Sequence, residues 1–443
     1  MYEHAPGLLG IDPEAIADHY ERRRLDEWSD ARLAENAASL LGVPLATAAP
    51  VSSFVLHAPL ELLARVGLLA YVTPHRRRAA RLMILSLVAR YERTGEMLKP
   101  SSRGSGSNNR NRIARLIAAI NAGDLTEVDT WAPQLLADVP WLINHQLADS
   151  IISRLGAAGH GNIYLYLAET SPVGSLGPAL LWPVVRELAK APNREMTLGA
   201  LSAGRGPTDT QVVSKALARL PNIGPADVSG IAPMVERAAA KGVVSTILDM
   251  AGGAIVCHPR HASRALLRCA ALMMLQGPMR HAPYGWTHCL TLAQAASAQG
   301  RYLADPSRAT AVAAAYVAAH WSCLATQPFD PSWQPERLQL SPKEALDSEP
   351  RAAVSAVWHA SEADLTDIEQ ALVDRALSAH DAHHVKYTWA CLRAAIADRP
   401  ARRLFLTAAA HLSEWWATNP NGVDLPAAST SPPTADRPRT ADS

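Results

Sequence analysis

Apolar residues recur along most of this chain at the i, i+3, i+4, i+7 spacing that turns one stripe of a helix toward a core. Alanine and leucine fill the stripe, phenylalanine occurs only three times, and the alternation expected of half-buried strands is scarce. Stretches such as SPVGSLGP, LPNIGPADVSG and TQPFDPSWQP break the pattern with proline and glycine and read as loops and helix starts. The pattern predicts an all-α protein, a large single helical assembly over residues 1–417, with any site built between facing helices. No repeat of fixed period is visible. Two segments depart from the helical text. KPSSRGSGSNNRNR, residues 99–112, is polar and rich in Gly and Ser and is expected to be a mobile loop. The stretch 418–443 has too little apolar surface to fold alone and is expected to be disordered.

At 443 residues and 48% hydrophobic the chain can bury a large core. A formal net charge of +1 gives no general attraction to nucleic acid or anionic membrane, and the run Arg76-Arg77-Arg78 with Arg81 reads as a solvated helix face. The five cysteines, Cys257, Cys269, Cys289, Cys323 and Cys391, form no C-x-x-C pair and fit a reducing compartment. The N-terminal text MYEHAPGLLGIDPEAIADHYERRR lacks the pattern of a signal peptide, and no long uninterrupted apolar run suggests a membrane span. A cytoplasmic protein without nucleic-acid or membrane partners is expected.

Dinucleotide, phosphate-loop, nucleophile-elbow and H-E-x-x-H signatures are all missing, which shifts attention to the sixteen histidines. His4, His19, His75 and His411 lie in polar or terminal text, and His258 and His261 flank Pro259 as helix-capping residues would. His57, His145, His288 and His320 sit inside apolar helical text, where a polar side chain needs a partner. The stretch HDAHHVKYTWACLRAA, 380–395, reads as one helix with His380, His383 and Lys386 on one face and His384 on another. Helical assemblies build metal sites from inward side chains on facing helices. Taken singly, the same histidines fit a packed core, and Lys386 fits a surface pair with Asp381, so both readings stay open at this level.

Four blocks carry a family resemblance. Asp381-Ala382-His383-His384-Val385-Lys386 resembles the D-x-H-x-x-K helix of the questin oxidase-like family of fungal and bacterial polyketide pathways, and Gly285-Trp286-Thr287-His288-Cys289-Leu290-Thr291 resembles its H-x-x-T segment. Leu56-His57-Ala58-Pro59 with Gly67, and Asn144-His145 with Arg154-Leu155-Gly156, resemble its two N-terminal histidine segments, although Leu56 replaces the commoner asparagine. The blocks span residues 50–415. The resemblance implies a non-haem Fe(II) centre held by four histidines and a lysine carboxylated by CO2. Carried over, these are His57, His145, His288, His383 and Lys386, with His160 in GAAGHGN a rival for His145. It implies an oxygenase that uses O2 to oxidise or cleave a ring of a polycyclic aromatic polyketide such as an anthraquinone, by C–C cleavage or Baeyer–Villiger-type insertion. His320 is the candidate acid or base, and Tyr284, Trp286, Trp321, Tyr387 and Trp389 either line an apolar pocket or belong to the core.

Two rival readings use the same residues. One is a zinc or manganese hydrolase, against which five protein ligands argue, since catalytic zinc usually takes three. The other is a non-enzymatic helical scaffold, in which the histidines have no reason to converge.

Overall fold

A computed structural model describes residues 8, 10–46, 53–99, 109–138, 140–191, 193–198, 211–224, 230–338 and 350–419, with the backbone alone at 13, 53, 109, 136–138 and 140–145. Among these residues helix follows helix, and pairing of extended backbone is confined to two isolated bridges, Leu45 with Met97 and Arg154 with Glu195. The fold is all-α, and one hydrophobic core runs from Leu8 to Trp415.

The helix Thr287–Gln299 is central. It is buried on every face, the pattern of a helix surrounded by others. Against it pack Pro306–Leu324, His160–Thr170, Pro259–Gln276 and Ala382–Ala397. Ala382–Ala397 in turn lies on Ser53–Leu69 and Arg402–Thr418, and Ser53–Leu69 also meets His160–Thr170. Four helices, carrying His57, His160, His288 and His383, therefore form a closed cycle of neighbours. Outside the cycle, small side chains let Pro306–Leu324 lie close on the central helix: it buries Ala309, Ala311, Ala313, Ala314, Ala315, Ala318 and Ala319.

The polar stretch 99–112 is not wholly a loop. The helix Asn109–Ala122 begins inside it, because the buried stripe Ile113, Leu116 and Ile120 anchors the turn that the polar residues start. Residues 100–108 lie outside the described residues, as does the expected tail beyond Asn419; the last helix ends at Thr418.

Between Pro259–Gln276 and Thr287–Gln299 the chain wraps round one indole. Trp286 is fully buried, its ring centroid is 5.8 Å from that of Trp321, and its N–H donates to the Pro278 carbonyl at 3.2 Å. Gly277 makes the wrap possible, since a Cβ there would stand 2.3 Å from the Trp286 ring. Gly277→Ala is expected to destabilise the protein by about 1–3 kcal/mol through overpacking. Gly174→Ala, where a Cβ meets nothing within 4 Å, should change stability by less than about 0.5 kcal/mol. Urea unfolding of the two variants measures the difference.

Candidate metal centre

The four helices of the cycle bring four imidazoles together. His57 Nε2 and His160 Nε2 are 2.8 Å apart. Ring centroids are 4.6 Å apart for His57–His160, 5.2 Å for His160–His288, 5.1 Å for His288–His383 and 4.6 Å for His57–His383, so the rings close a loop. One donor nitrogen each from His57, His160 and His288 lies within 4.8 Å of the other two. All four side chains are buried.

Three of the rings are aimed by irregular backbone. His160 follows the short turn Gly156–Gly159, in which Ala157, Ala158 and Gly159 have φ of 50°, 54° and 70°. Left-handed backbone costs an L-residue roughly 1–2 kcal/mol. The turn points the Ala157 carbonyl back at His160, whose Nδ1–H donates to it at 2.8 Å. His288 follows a π-helical turn, Ala282–Trp286, and donates Nδ1–H to the Tyr284 carbonyl in that turn. Asp381 caps the helix Ala382–Ala397 by accepting from the backbone N–H of His383 at 2.7 Å, and the same oxygen lies 3.2 Å from His383 Nδ1. In each case the Nδ1 proton is committed to an oxygen, which leaves the Nε2 lone pair free. His288 Nε2 has no hydrogen-bond partner among the described residues.

Lys386 stands one turn after His383, is buried, and its Nζ has no partner among the described residues. Burial pushes its ammonium down to about 7, against the opposing influence of Asp381 and Glu61. Burial, followed by the Lys386 charge, holds His57 and His160 well below the ordinary histidine range; burial, followed by His383, does the same for His288. His383 is lowered by burial and Lys386 against the pull of Asp381. A buried ion pair braces the assembly: Arg65 Nε donates to Glu61 at 2.8 Å, and its other nitrogens donate to the Leu377 and Ala379 carbonyls at 3.0 and 2.5 Å. The His57 helix is thereby tied to the turn that enters the His383 helix.

These residues fit a transition-metal ion. Two imidazole nitrogens bound at about 2.1 Å stand about 3.0 Å apart at right angles on a six-coordinate ion and about 3.4 Å apart on a tetrahedral one, and His57 and His160 are at 2.8 Å, nearer the first. The bases are held neutral, one inward nitrogen is orphaned, and imidazole donors suit zinc, copper, iron and nickel. A lysine ammonium has three donors and no lone pair; Lys386 joins a donor set only as an amine or after carboxylation.

Of the five ligands carried over from sequence, His57, His288 and His383 meet in this cluster, with Lys386 beside them. The fourth ring is that of His160, the rival. His145 lies on the helix Pro140–Ile151, and its side chain is outside the described residues. What places His160 is the left-handed turn, and GAAGHGN carries only the glycines as a hint of it. His320 is fully buried on Pro306–Leu324, donates Nδ1–H to the Tyr316 carbonyl at 2.7 Å, and takes no part in the ring contacts that join the four. One reading of HDAHHVKYTWACLRAA is corrected. The helix starts at Ala382 because Asp381 caps it, so His380 is exposed ahead of it and shares no face with His383. His384 is buried, with Nε2 unpartnered among the described residues. His19 and His411, set aside as polar or terminal, are buried too. Among the aromatic candidates, Tyr284 stands edge-on to His383 at 4.9 Å and to Trp416 at 6.2 Å. Trp286 and Trp321 pack together with Phe329 in the core, and Tyr387 and Trp389 are also buried.

Ala157→Gly should stabilise the protein by about 0.5–1 kcal/mol by removing a left-handed alanine, read as a higher urea midpoint. Acid should do the opposite. Burial pushes His320, His384 and His411 down to about 4 from an ordinary 6.5. The unfolded chain thus binds more protons, and the stability present above pH 6.5 is lost as pH falls toward 4. The loss between pH 7 and pH 5 should be about 2 kcal/mol for each such histidine, measured by urea unfolding of the metal-free protein at the two pH values.

No family model matches the chain, and no curated protein and no solved structure matches it.

Proposed function

We propose that the protein is a non-haem iron oxygenase in which His57, His160, His288, His383 and a carboxylated Lys386 hold Fe(II). The observation that carries this reading is the closed loop of four buried imidazoles. Three of their Nδ1 protons are fixed on the Ala157 carbonyl, the Tyr284 carbonyl and the Asp381 carboxylate. A scaffold gives no reason for such convergence, and the resemblance of the His57, His288 and His383–Lys386 blocks to the questin oxidase-like family supports the same assignment.

The chain's own part is as follows. At neutral pH a buried lysine whose ammonium titrates at about 7 presents a large fraction of free amine. That amine attacks CO2, an N–C bond forms, one proton leaves the nitrogen for water, and an anionic carbamate oxygen remains. Asp381 holds the tautomer of His383, as the two backbone carbonyls hold those of His288 and His160. Fe(II), held by His57, His160, His288, His383 and the carbamate of Lys386, would supply electrons to O2. Tyr284, half-buried and edge-on to His383, is the aromatic wall against which a flat, electron-rich ring lies. The substrate class is a polycyclic aromatic such as an anthraquinone, oxidised or opened with O2.

One observation favours a second reading. His57, His160 and His288 alone form a three-histidine set, the number of protein ligands that water-activating zinc usually takes. Metal analysis by mass spectrometry separates the two. Untagged protein produced with iron should carry near-stoichiometric iron. His160→Ala and Lys386→Ala should each lower it about tenfold or more, in line with losing a ligand, and His145→Ala should leave it in place. Zinc retained in Lys386→Ala would favour the hydrolase, and no bound transition metal would return the histidines to the core. Substrate consumption under strict nitrogen would sink the oxygenase chemistry.

A further inference from the structure

A line of oxidisable rings leads from the four-histidine cluster toward the surface. Tyr284 stands edge-on to His383, with ring centroids 4.9 Å apart at 87°. Trp416 stands edge-on to Tyr284, at 6.2 Å and 83°. Both separations are those of aromatic rings in contact, about 4.5–7 Å. The contact arises because the π-helical turn Ala282–Trp286 lies on the helix Arg402–Thr418. Tyr284 and Trp416 are each partly exposed, and Ala417, Thr418 and Asn419 beyond them are exposed. Trp415, 4.9 Å from Trp416, is buried, so Trp416 is the outer end of the line. The neighbouring series Trp286, Trp321 and Phe329 differs in this respect, since all three are buried and it ends in the core.

We infer that Tyr284 and Trp416 form a one-electron conduit between the histidine cluster and the surface. Phenol and indole are the side chains most readily oxidised by one electron after the thiols, and rings in contact exchange electrons readily. Burial, followed by the charge of Asp381, pushes the Tyr284 phenol up to about 12. At neutral pH it is therefore protonated and gives up an electron and a proton together. The purpose of the conduit rests on the oxygenase reading. Oxidising power that arises at the centre without a substrate would otherwise be spent on the surrounding imidazoles. In its place, one electron passes from Tyr284 to the centre, which is reduced by one, and the phenolic proton goes to water. Trp416 then returns an electron to Tyr284, whose oxygen recovers a proton. An enediol in solution gives one electron to oxidised Trp416 and becomes a radical itself.

Flash photolysis of the full chain, free of metal, tests the conduit. A ruthenium polypyridyl photo-oxidant is attached at Ala417→Cys, with Cys257→Ser removing the exposed native thiol; the other cysteines are buried. A cobalt(III) ammine takes an electron from the excited label, and the oxidised label then draws one from the protein. A tyrosyl radical, read by its absorbance and by electron paramagnetic resonance, is expected in this background. Tyr284→Phe should remove it. Trp416→Phe should slow its appearance about tenfold, an added barrier of about 1.4 kcal/mol. Both substitutions keep a six-membered ring in place. His288→Ala, which disrupts the metal centre, should leave the radical yield unchanged. A radical that is absent from the labelled background, undiminished in Tyr284→Phe or unslowed in Trp416→Phe would overturn the proposal. Because no iron is used, a radical formed by a protein that binds no iron would leave the conduit standing and count against the oxygenase alone.

Discussion

Five nitrogen bases can be buried in one place only if they are not all charged. His57, His160, His288, His383 and Lys386 stand together in the core, where an isolated charge is expensive and neighbouring like charges more so. The rest of the local structure answers that constraint. Burial and mutual repulsion drive the imidazoles neutral and push the lysine down to about 7. The two nearby carboxylates work in the opposite direction: Glu61 is engaged by Arg65, and Asp381 by the start of its own helix. Among the described residues, His288 Nε2 and Lys386 Nζ are left without a partner, and a cation would complement such a set of neutral bases.

Neutral imidazoles also need their tautomers fixed, and regular helix has few spare carbonyls to do it. Each solution here departs from regular helix. A left-handed turn of two alanines and a glycine frees the Ala157 carbonyl for His160; a π-helical turn frees that of Tyr284 for His288; a capping aspartate serves His383. Backbone in sparsely populated conformations gathers at functional sites because the surrounding fold can hold it there. The alanine turn is held by packing: beyond it, a Cβ on Gly159 would come within 2.8 Å of both Leu292 and the Tyr316 hydroxyl.

How much of this was legible in the sequence depends on how local each cause is. The helices follow from periodicity, and the pairing of His383 with Lys386 follows from their three-residue spacing, which helix geometry converts directly into a shared face. His57 and His288 stood out as polar residues in apolar text. His160 was passed over for His145 because its position depends on the left-handed turn, and two alanines carry no signature of positive φ; that turn is imposed from outside by the helices around it. His380 was misplaced by one capping residue. The burial of His411 is not legible because it comes from the packing of its helix on Pro350–His359 and Pro259–Gln276, far away in sequence. Nothing near position 411 announces them.

The chain's bias toward alanine and leucine now has a physical role. Alanine lets helices approach closely, as Pro306–Leu324 does against the helix that carries His288. The few large side chains then set where the structure stays open. Trp286 fills the turn against Gly277, and Trp389 packs on Gly67, where a Cβ would come within 2.8 Å of its ring; both positions seal the flanks of the His288 and His383 helices. Trp333 and Trp358, whose rings meet at 6.3 Å, stand on the flank of Arg402–Thr418, which packs closely on Pro350–His359. Among the described residues, His288 Nε2 near the centre and both His411 ring nitrogens on the last helix are among the buried polar atoms this packing leaves unpaired.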